Sequence, residues 1–279
     1  MATLDEMKKV IHEALNEDIG KGDITTDSII KSSKTGIATI IAKQSGILAG
    51  LKLSKKVFLE LDDKIRISSF KEEGNVINSN DQIITIEGNM GSILKAERVA
   101  LNFLSHLSGI ATLTNQYVEK VKGTGVRITD TRKTTPLLRI FEKEAVKMGG
   151  GVNHRMGLYD MVLLKENHIK MSGSIKQAVY DVRNYLRENR IIAGIEVETT
   201  DVREVSEALS CEVDRIMLDN MSIDQIREAV KLVDGRVEVE VSGRIDLDTV
   251  QLIALCGVDL ISVGAITHSA PAFDFSLLF

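Results

Sequence analysis

The sequence contains no tryptophan, two prolines and two cysteines in 279 residues. Cys211 and Cys256 stand far apart and fit no metal-ligand spacing. That excludes a zinc module and a disulfide scaffold and makes two buried thiols the expectation. No run approaches the ~20 apolar residues that a membrane span needs. The first twenty residues mix charges throughout and have no apolar signal core, so a soluble, cytoplasmic protein is expected. No Ser/His/Asp order, Walker loop, GxGxxG or Cys-His zinc spacing occurs. GGGVNHR is glycine-rich but lacks the P-loop lysine, so nucleotide hydrolysis is unsupported. Acids outnumber Lys and Arg overall, with a formal net charge of −5, which speaks against a nucleic-acid face.

Within this acidic chain one stretch is cationic. Residues 126–170 hold nine Lys/Arg against five acids, a local balance of about +4. A cationic island in an acidic protein suggests a local anion site. Ahead of it, Thr3–Glu17 reads as an amphipathic helix with a Thr3/Glu6 capping box. EDIGKGDITT reads as a turn, and Gly36–Gly50 as a hairpin. Leu51–Leu61 is helical, and short strands are expected at Lys64–Phe70, Val76–Asn78 and Gln82–Glu87. Leu94–Val121 is one long helix, or two broken near Gly109. This half is α+β, with strands too closely spaced for βαβ crossovers.

From Val126 the rhythm changes. The runs VRITDT, MVLLK, IIAGIEVE, RIMLD, VEVEV and LISVG alternate with amphipathic helices at Ser174–Asn189, Val202–Leu209, Ile223–Val233 and Leu247–Cys256. Near-continuous β-branched runs with helical crossovers mark a parallel sheet buried on both faces. A repeat of roughly 20–25 residues favours a β/α barrel over an open sheet.

In such a barrel the carboxyl ends of the strands face the site. Nearly every run here ends in polar residues or glycine: Asp130-Thr131-Arg132-Lys133, Asn153-His154-Arg155, Lys165-Glu166-Asn167-His168, Glu196-Val197-Glu198, Asp219-Asn220, Ser242-Gly243 and Gly264-Ala265. The cations Arg132, Lys133, Arg155 and Lys165 suit carboxylate or phosphate oxygens. Glu198 and Asp219, on successive strands, suit Mg²⁺ with waters and a substrate pyrophosphate. Gly243 and Gly264 allow backbone N–H groups to approach a phosphate closely. Glu142, Lys143, Glu144 and Lys147 are expected to pair with one another along a helix. His12 and His106 are expected to be structural.

The strings EDIGKGDITT, AERVALNFLSHLSGIAT, TRKTTPLLR, GGGVNHRMGLYDMVLLKENHI, IEVE, DRIMLDN, EVSG and GVDLISVGAITHS, in this order over nearly the whole chain, resemble the quinolinate phosphoribosyltransferases. TRKTTP followed by GGGxNHRxGL is the specific part. The resemblance implies an α/β fold: an N-terminal α/β sandwich domain over 1–110, completed by 270–279, and a C-terminal incomplete, open β/α barrel over 111–269. It implies a homodimer with shared active sites, or a higher oligomer, with no nucleic-acid or membrane partner. It further implies Mg²⁺-dependent transfer of phosphoribose from phosphoribosyl pyrophosphate to quinolinate, with decarboxylation to nicotinate mononucleotide, in NAD biosynthesis.

Residue by residue, the resemblance implies that Arg98 reaches a partner's site and contacts quinolinate. Arg132, His154, Arg155 and Lys165 would bind its carboxylates, and Lys133 the phosphoribosyl pyrophosphate side. Glu198 and Asp219 would face the ribose hydroxyls and Mg²⁺, directly or through water. Lys133, Glu198 and Asp219 form the catalytic set. Ser242, Gly243, Gly264 and His268 would line the 5′-phosphate pocket. The family usually has glycine at Leu137 and Arg244, aspartate at Glu166, and commonly tyrosine at Glu144. Two alternatives stay open: transfer to another carboxylated heterocycle, and a non-catalytic anion-binding paralogue.

Overall fold

A computed structural model of the chain describes residues 3–279. In chain order the elements are α1 (Leu4–Ile19), α2 (Ile24–Ile29), β1 (Thr35–Ala42), β2 (Gly46–Ile47), α3 (Leu51–Leu61), β3 (Arg66–Ser69), β4 (Val76–Ile77), β5 (Gln82–Asn89) and α4 (Met90–Lys120). There follow β6 (Arg127–Thr129), α5 (Arg139–Met148), β7 (Val162–Leu164), α6 (Glu166–Ser172), α7 (Ile175–Glu188), β8 (Ile195–Thr199) and α8 (Val202–Ser210). The chain ends with β9 (Arg215–Asp219), α9 (Ile223–Val233), β10 (Glu238–Ser242), α10 (Val250–Ala254), β11 (Leu260–Ser262), α11 (Ala265–His268) and β12 (Phe275–Leu278).

These elements form two compact units. The first comprises Met1–Asn115, Thr134–Gly150 and Ser269–Phe279; the second comprises Gln116–Lys133 and Gly151–His268. The first unit is built on an antiparallel sheet of order β12-β1-β5-β3. Thr3 and Glu6 close the expected capping box on α1, and α1 packs on α3.

One local expectation gives way here and two are sharpened. Gly36–Gly50 is not a hairpin: β1 pairs with β5 and β12, while β2 pairs with β4. Long-range partners outbid the local Ser-Gly turn. EDIGKGDITT is a turn that opens directly into α2, because the Asp23 carboxylate accepts from the Thr25 and Thr26 amides. Helix α4 is unbroken at Gly109, where a side chain would meet the Pro271 carbonyl oxygen at 2.2 Å. That glycine permits a close approach of the returning C-terminal segment and does not end a helix.

Residues 134–150 group with the first unit. The reason is α5. Glu142 lies 2.7 Å from His106 Nε2 on α4 and accepts from the Thr135 amide. Glu142 and Lys143 are fully buried, so they do not lie on a solvated face. A fully buried carboxylate needs fixed partners, and the helix turns Glu142 toward them.

The second unit is a parallel sheet of order β6-β11-β10-β9-β8-β7. Strands β7 to β11 are neighbours in chain order and β6 closes onto β11. No pairing joins β6 to β7; only an isolated bridge from Thr129 to Val152 extends the β6 side. The barrel is therefore open. The crossover helices start where side chains satisfy the free amides: Ser174 on α7, Asp201 on α8 and Ser222 with Gln225 on α9. Their apolar stripes (Val205 and Ala208; Ile226, Ala229 and Val233) are buried. The two cysteines are free and buried. No helix among the described residues is long and apolar enough to cross a membrane.

Candidate active site

All carboxyl ends of the parallel strands open on one cavity of about 760 Å³ within the second unit. That volume is ample for a small-molecule site. Arg132 and Lys133 follow β6, His154 and Arg155 precede β7, and Lys165 ends β7; all five line the cavity. Glu198 from β8 and Asp219 from β9 line it too, as do Ser242, Gly243, Gly264 and His268. The tertiary structure thus gathers eleven of the twelve expected site residues. The twelfth, Arg98, is exposed on α4 in the first unit and is not part of this wall.

The cationic wall is held by a buried clamp. Asp130, at the end of β6, has no exposed surface. It accepts from the Asn153 side chain and from the His154 amide at 2.9 Å. One carboxylate thereby ties the GGGVNHR segment to the end of β6. Asp160 accepts from the Met156 and Gly157 amides and shapes the loop that follows. The Arg155 guanidinium donates to the Met161 carbonyl at 3.0 Å. Burial, and after it the Arg132 charge, pull the Arg155 guanidinium below its ordinary range. Two guanidiniums close enough to disfavour each other make a standing attraction for an anion.

His154 faces the other way. Its Nδ1 accepts from the Arg155 amide at 2.8 Å, which leaves the ring proton on Nε2. Nε2 lies 3.0 Å from Glu196 and 3.5 Å from Glu240. Both carboxylates are fully buried, and Arg215 reaches Glu240 at 3.1 Å and Glu238 at 2.6 Å. Burial raises Glu196 and Glu240 to about 7 each, and in Glu240 the neighbouring Glu196 charge adds to the rise. Sequence reasoning passed over this buried layer. Its signal was the alternation in IEVET and VEVEV, which sets acids on one face at every second position, with Arg215 and Asp219 of RIMLD four apart on one face of their strand.

His154, Glu196 and Glu240 could be taken for a metal site. Arg215 already neutralises that cluster. Glu198 and Asp219 are the better fit to a hard divalent cation: carboxylate oxygens on neighbouring strand ends, facing the cavity. Glu198 is paired with the half-exposed Lys165 ammonium, and Asp219 accepts from the Asn220 side chain at 2.8 Å.

The wall at the ends of β10 and β11 is made of small residues and left-handed backbone. A side chain on Gly264 would touch His268 and Lys133, each at 3.2 Å. Gly243 has φ +104°, and a side chain there would strike Asn220 at 2.4 Å. Leu137 and Arg244, where the resemblance has glycine, have φ of 67° and 50°. The backbone conformation that favours glycine is kept at both positions without the glycine.

Comparison with known proteins agrees with this architecture. A family model for the quinolinate phosphoribosyl transferase C-terminal domain matches residues 110–278, and one for the N-terminal domain matches residues 23–108. The chain is 40% identical over 288 residues to decarboxylating quinolinate phosphoribosyltransferase 2b of Nicotiana tabacum, covering 98% of this chain and 82% of that protein. It is 42% identical over 270 residues to a probable carboxylating nicotinate-nucleotide pyrophosphorylase of Synechocystis, covering 96% and 90%. The crystal structure of NadC from Streptococcus pyogenes superposes with a TM-score of 0.95 at 40% identity, covering 100% of this chain and 98% of that one.

Proposed function

The chain belongs to the quinolinate phosphoribosyltransferase family, and we propose that it transfers phosphoribose from phosphoribosyl pyrophosphate to quinolinate and releases CO₂. The observation that carries the reading is the division of one cavity. Arg132, Arg155 and Lys165 crowd its β6–β7 side, while Glu198 and Asp219 stand on the strand ends between them and the glycine- and serine-lined remainder.

Arg132, Arg155 and Lys165 draw in the dianionic acid and orient its ring. His154 supports them from behind through its contact with the Arg155 amide. The ring nitrogen attacks C1 of the ribose; the N–C1 bond forms as the C1–O bond to pyrophosphate breaks. Glu198 and Asp219 stabilise the oxocarbenium-like charge, and Lys133 meets the charge on the phosphates. The same two carboxylates would hold Mg²⁺, which when bound neutralises the departing pyrophosphate. The positive charge on the alkylated nitrogen stabilises the electron pair left on the adjacent ring carbon as its carboxylate departs as CO₂, and a proton then bonds to that carbon. No protein nucleophile is needed. Ser242, Gly243, Gly264 and His268 form the 5′-phosphate end.

We further expect a cytoplasmic homodimer in which the exposed Arg98 reaches the cavity of a second copy. Mixing inactive Arg98→Ala with inactive Arg155→Ala subunits should restore part of the activity if sites are shared. The primary test supplies phosphoribosyl pyrophosphate and Mg²⁺ and offers quinolinate and nicotinate separately. Mononucleotide with equimolar CO₂ from quinolinate alone is the expected result. Turnover of neither acid would sink the reading.

A further inference from the structure

We propose that Arg244 is a substrate-binding residue, its guanidinium taking phosphate oxygens of the phosphoribosyl donor. The inference rests on the phosphoribosyl-transfer reading above and assigns a contact beyond the set named there.

Three observations carry it. Arg244 lies in the turn after β10, lines the cavity and is exposed. Among the described residues it forms no ion pair, whereas Lys165 on the same wall is paired with Glu198 and Arg215 below it with Glu238 and Glu240. Its guanidinium is therefore an uncommitted planar fork on a residue of the cavity wall, the shape that matches phosphate oxygens two at a time.

The second observation is conformational. Arg244 has φ 50°, a left-handed conformation that glycine takes freely and a residue with a Cβ takes at a cost. The turn cannot relax out of it. On one side Gly243 packs against Asn220, whose backbone nitrogen a side chain at Gly243 would meet at 2.9 Å. Asn220 in turn donates its amide to the Ser242 carbonyl at 3.0 Å. On the other side Ile245 is buried and its carbonyl accepts from the Tyr117 hydroxyl. Asp246 then caps the Asp248 and Thr249 amides. The fold presents a strained cation to the cavity where a glycine would be at ease, and a side chain retained at that cost points to a use for it.

The third observation is position. Strand β10 lies between β9 and β11, so Arg244 stands among Asn220, Gly243 and Gly264, small or neutral residues that leave room for a tetrahedral anion. The guanidiniums of Arg132 and Arg155 belong to the β6–β7 side. Arg244 is thus placed for the donor and not for the ring acid. The phosphate could be the 5′-phosphate or the pyrophosphate of the same donor; both offer the same chemistry.

Calorimetric titration of wild type, Arg244→Gly and Arg244→Lys with the donor, ribose 5-phosphate, inorganic pyrophosphate and quinolinate tests this. Glycine accepts the backbone conformation, so Arg244→Gly should fold and melt no lower than wild type. Its affinity for the donor should fall roughly ten- to hundredfold, the range of a charge-assisted hydrogen bond, with Arg244→Lys between. Quinolinate affinity should stay within about twofold of wild type, since the removed contact does not touch the acid. A matching loss for ribose 5-phosphate assigns the 5′-phosphate; a matching loss for pyrophosphate assigns the leaving group. Unchanged affinity for all three phosphates overturns the proposal. If Arg244→Gly shows the loss but wild type does not turn over quinolinate, the reaction reading fails and the contact stands. A wild type that binds none of the three overturns both.

Discussion

The cavity-facing side of the parallel sheet carries charge at two heights, and the heights differ in kind. Lower on the strands Glu196 and Glu240 meet His154, and Arg215 pairs with Glu238 and Glu240; the two glutamates nearest His154 are fully buried. One step further along the strands Glu198 and Asp219 face Arg132, Lys133, Arg155, Lys165 and Arg244 around an open cavity. The lower layer sets its acids against Arg215, although both Glu196 oxygens and one Glu240 oxygen have no hydrogen-bond donor among the described residues. The upper layer has a surplus of cations that only a polyanion would balance. Glu196 and Glu198 are two residues apart on one strand and point the same way, yet only Glu198 lines the cavity. Identical side chains have different uses because one lies above and the other below the floor of the cavity.

The contrast predicts that changes above lower activity and changes below lower stability. The largest effect is expected from Arg155→Ala, which removes one of the two adjacent guanidiniums. Turnover of quinolinate at subsaturating concentration should drop by roughly 10³, the value of two charge-assisted hydrogen bonds, with a melting temperature close to wild type. Steady-state kinetics paired with a thermal melt would show it; a melt that collapses with the activity would break the distinction.

Next is Glu240→Ala in the lower layer. It leaves Arg215 and His154 short of a buried counter-charge and should destabilise the fold by about 3 kcal/mol. Denaturant unfolding at neutral pH reads this directly. An unfolding midpoint that stays put would show that the layer is not a stability element.

The lower layer should also give stability an uncommon pH dependence. Glu240 is raised from 4.5 to about 7 in the folded chain. Between those values the unfolded chain has released the proton and the folded chain still holds it, so the unfolded state binds fewer protons. The contribution is fully present below about 4.5 and is lost as pH rises to about 7. Glu240→Gln should remove at least half of that slope in unfolding curves taken from pH 4.5 to 8. A carboxylate with a depressed pKa would give the opposite slope.

The smallest stability effect is expected from Lys165→Met. The Lys165–Glu198 pair is half-exposed on the lysine side, and such pairs contribute less than about 1 kcal/mol. The quinolinate KM should nevertheless rise several-fold. Unequal responses of the melt and the KM would sharpen the division between the layers; equal ones would blur it.

Much of this was legible in the chain. The βα rhythm from Val126 identified the parallel unit, and the polar strand ends named the residues that line the cavity. The capping box at Thr3 and the helix starts at Ser174, Asp201 and Ser222 are local chemistry, and local chemistry is written in adjacent residues. The misreadings share one cause. β1 takes β5 and β12 as partners, and α5 buries Glu142 against His106; in each case the deciding group is far away in sequence.

What the sequence determined by itself is therefore the periodicity of each element, the identity of the strand-end residues and the family to which their spacing belongs. Only the tertiary structure decided which of two equivalent glutamates on a strand reaches the cavity, which way the two ring nitrogens of His154 point, and that Arg244 is held with a left-handed backbone. Those outcomes depend on burial and on the fit of distant backbone segments. Periodicity says which residues share a face, but the depth of each along that face is set by where neighbouring strands begin and end.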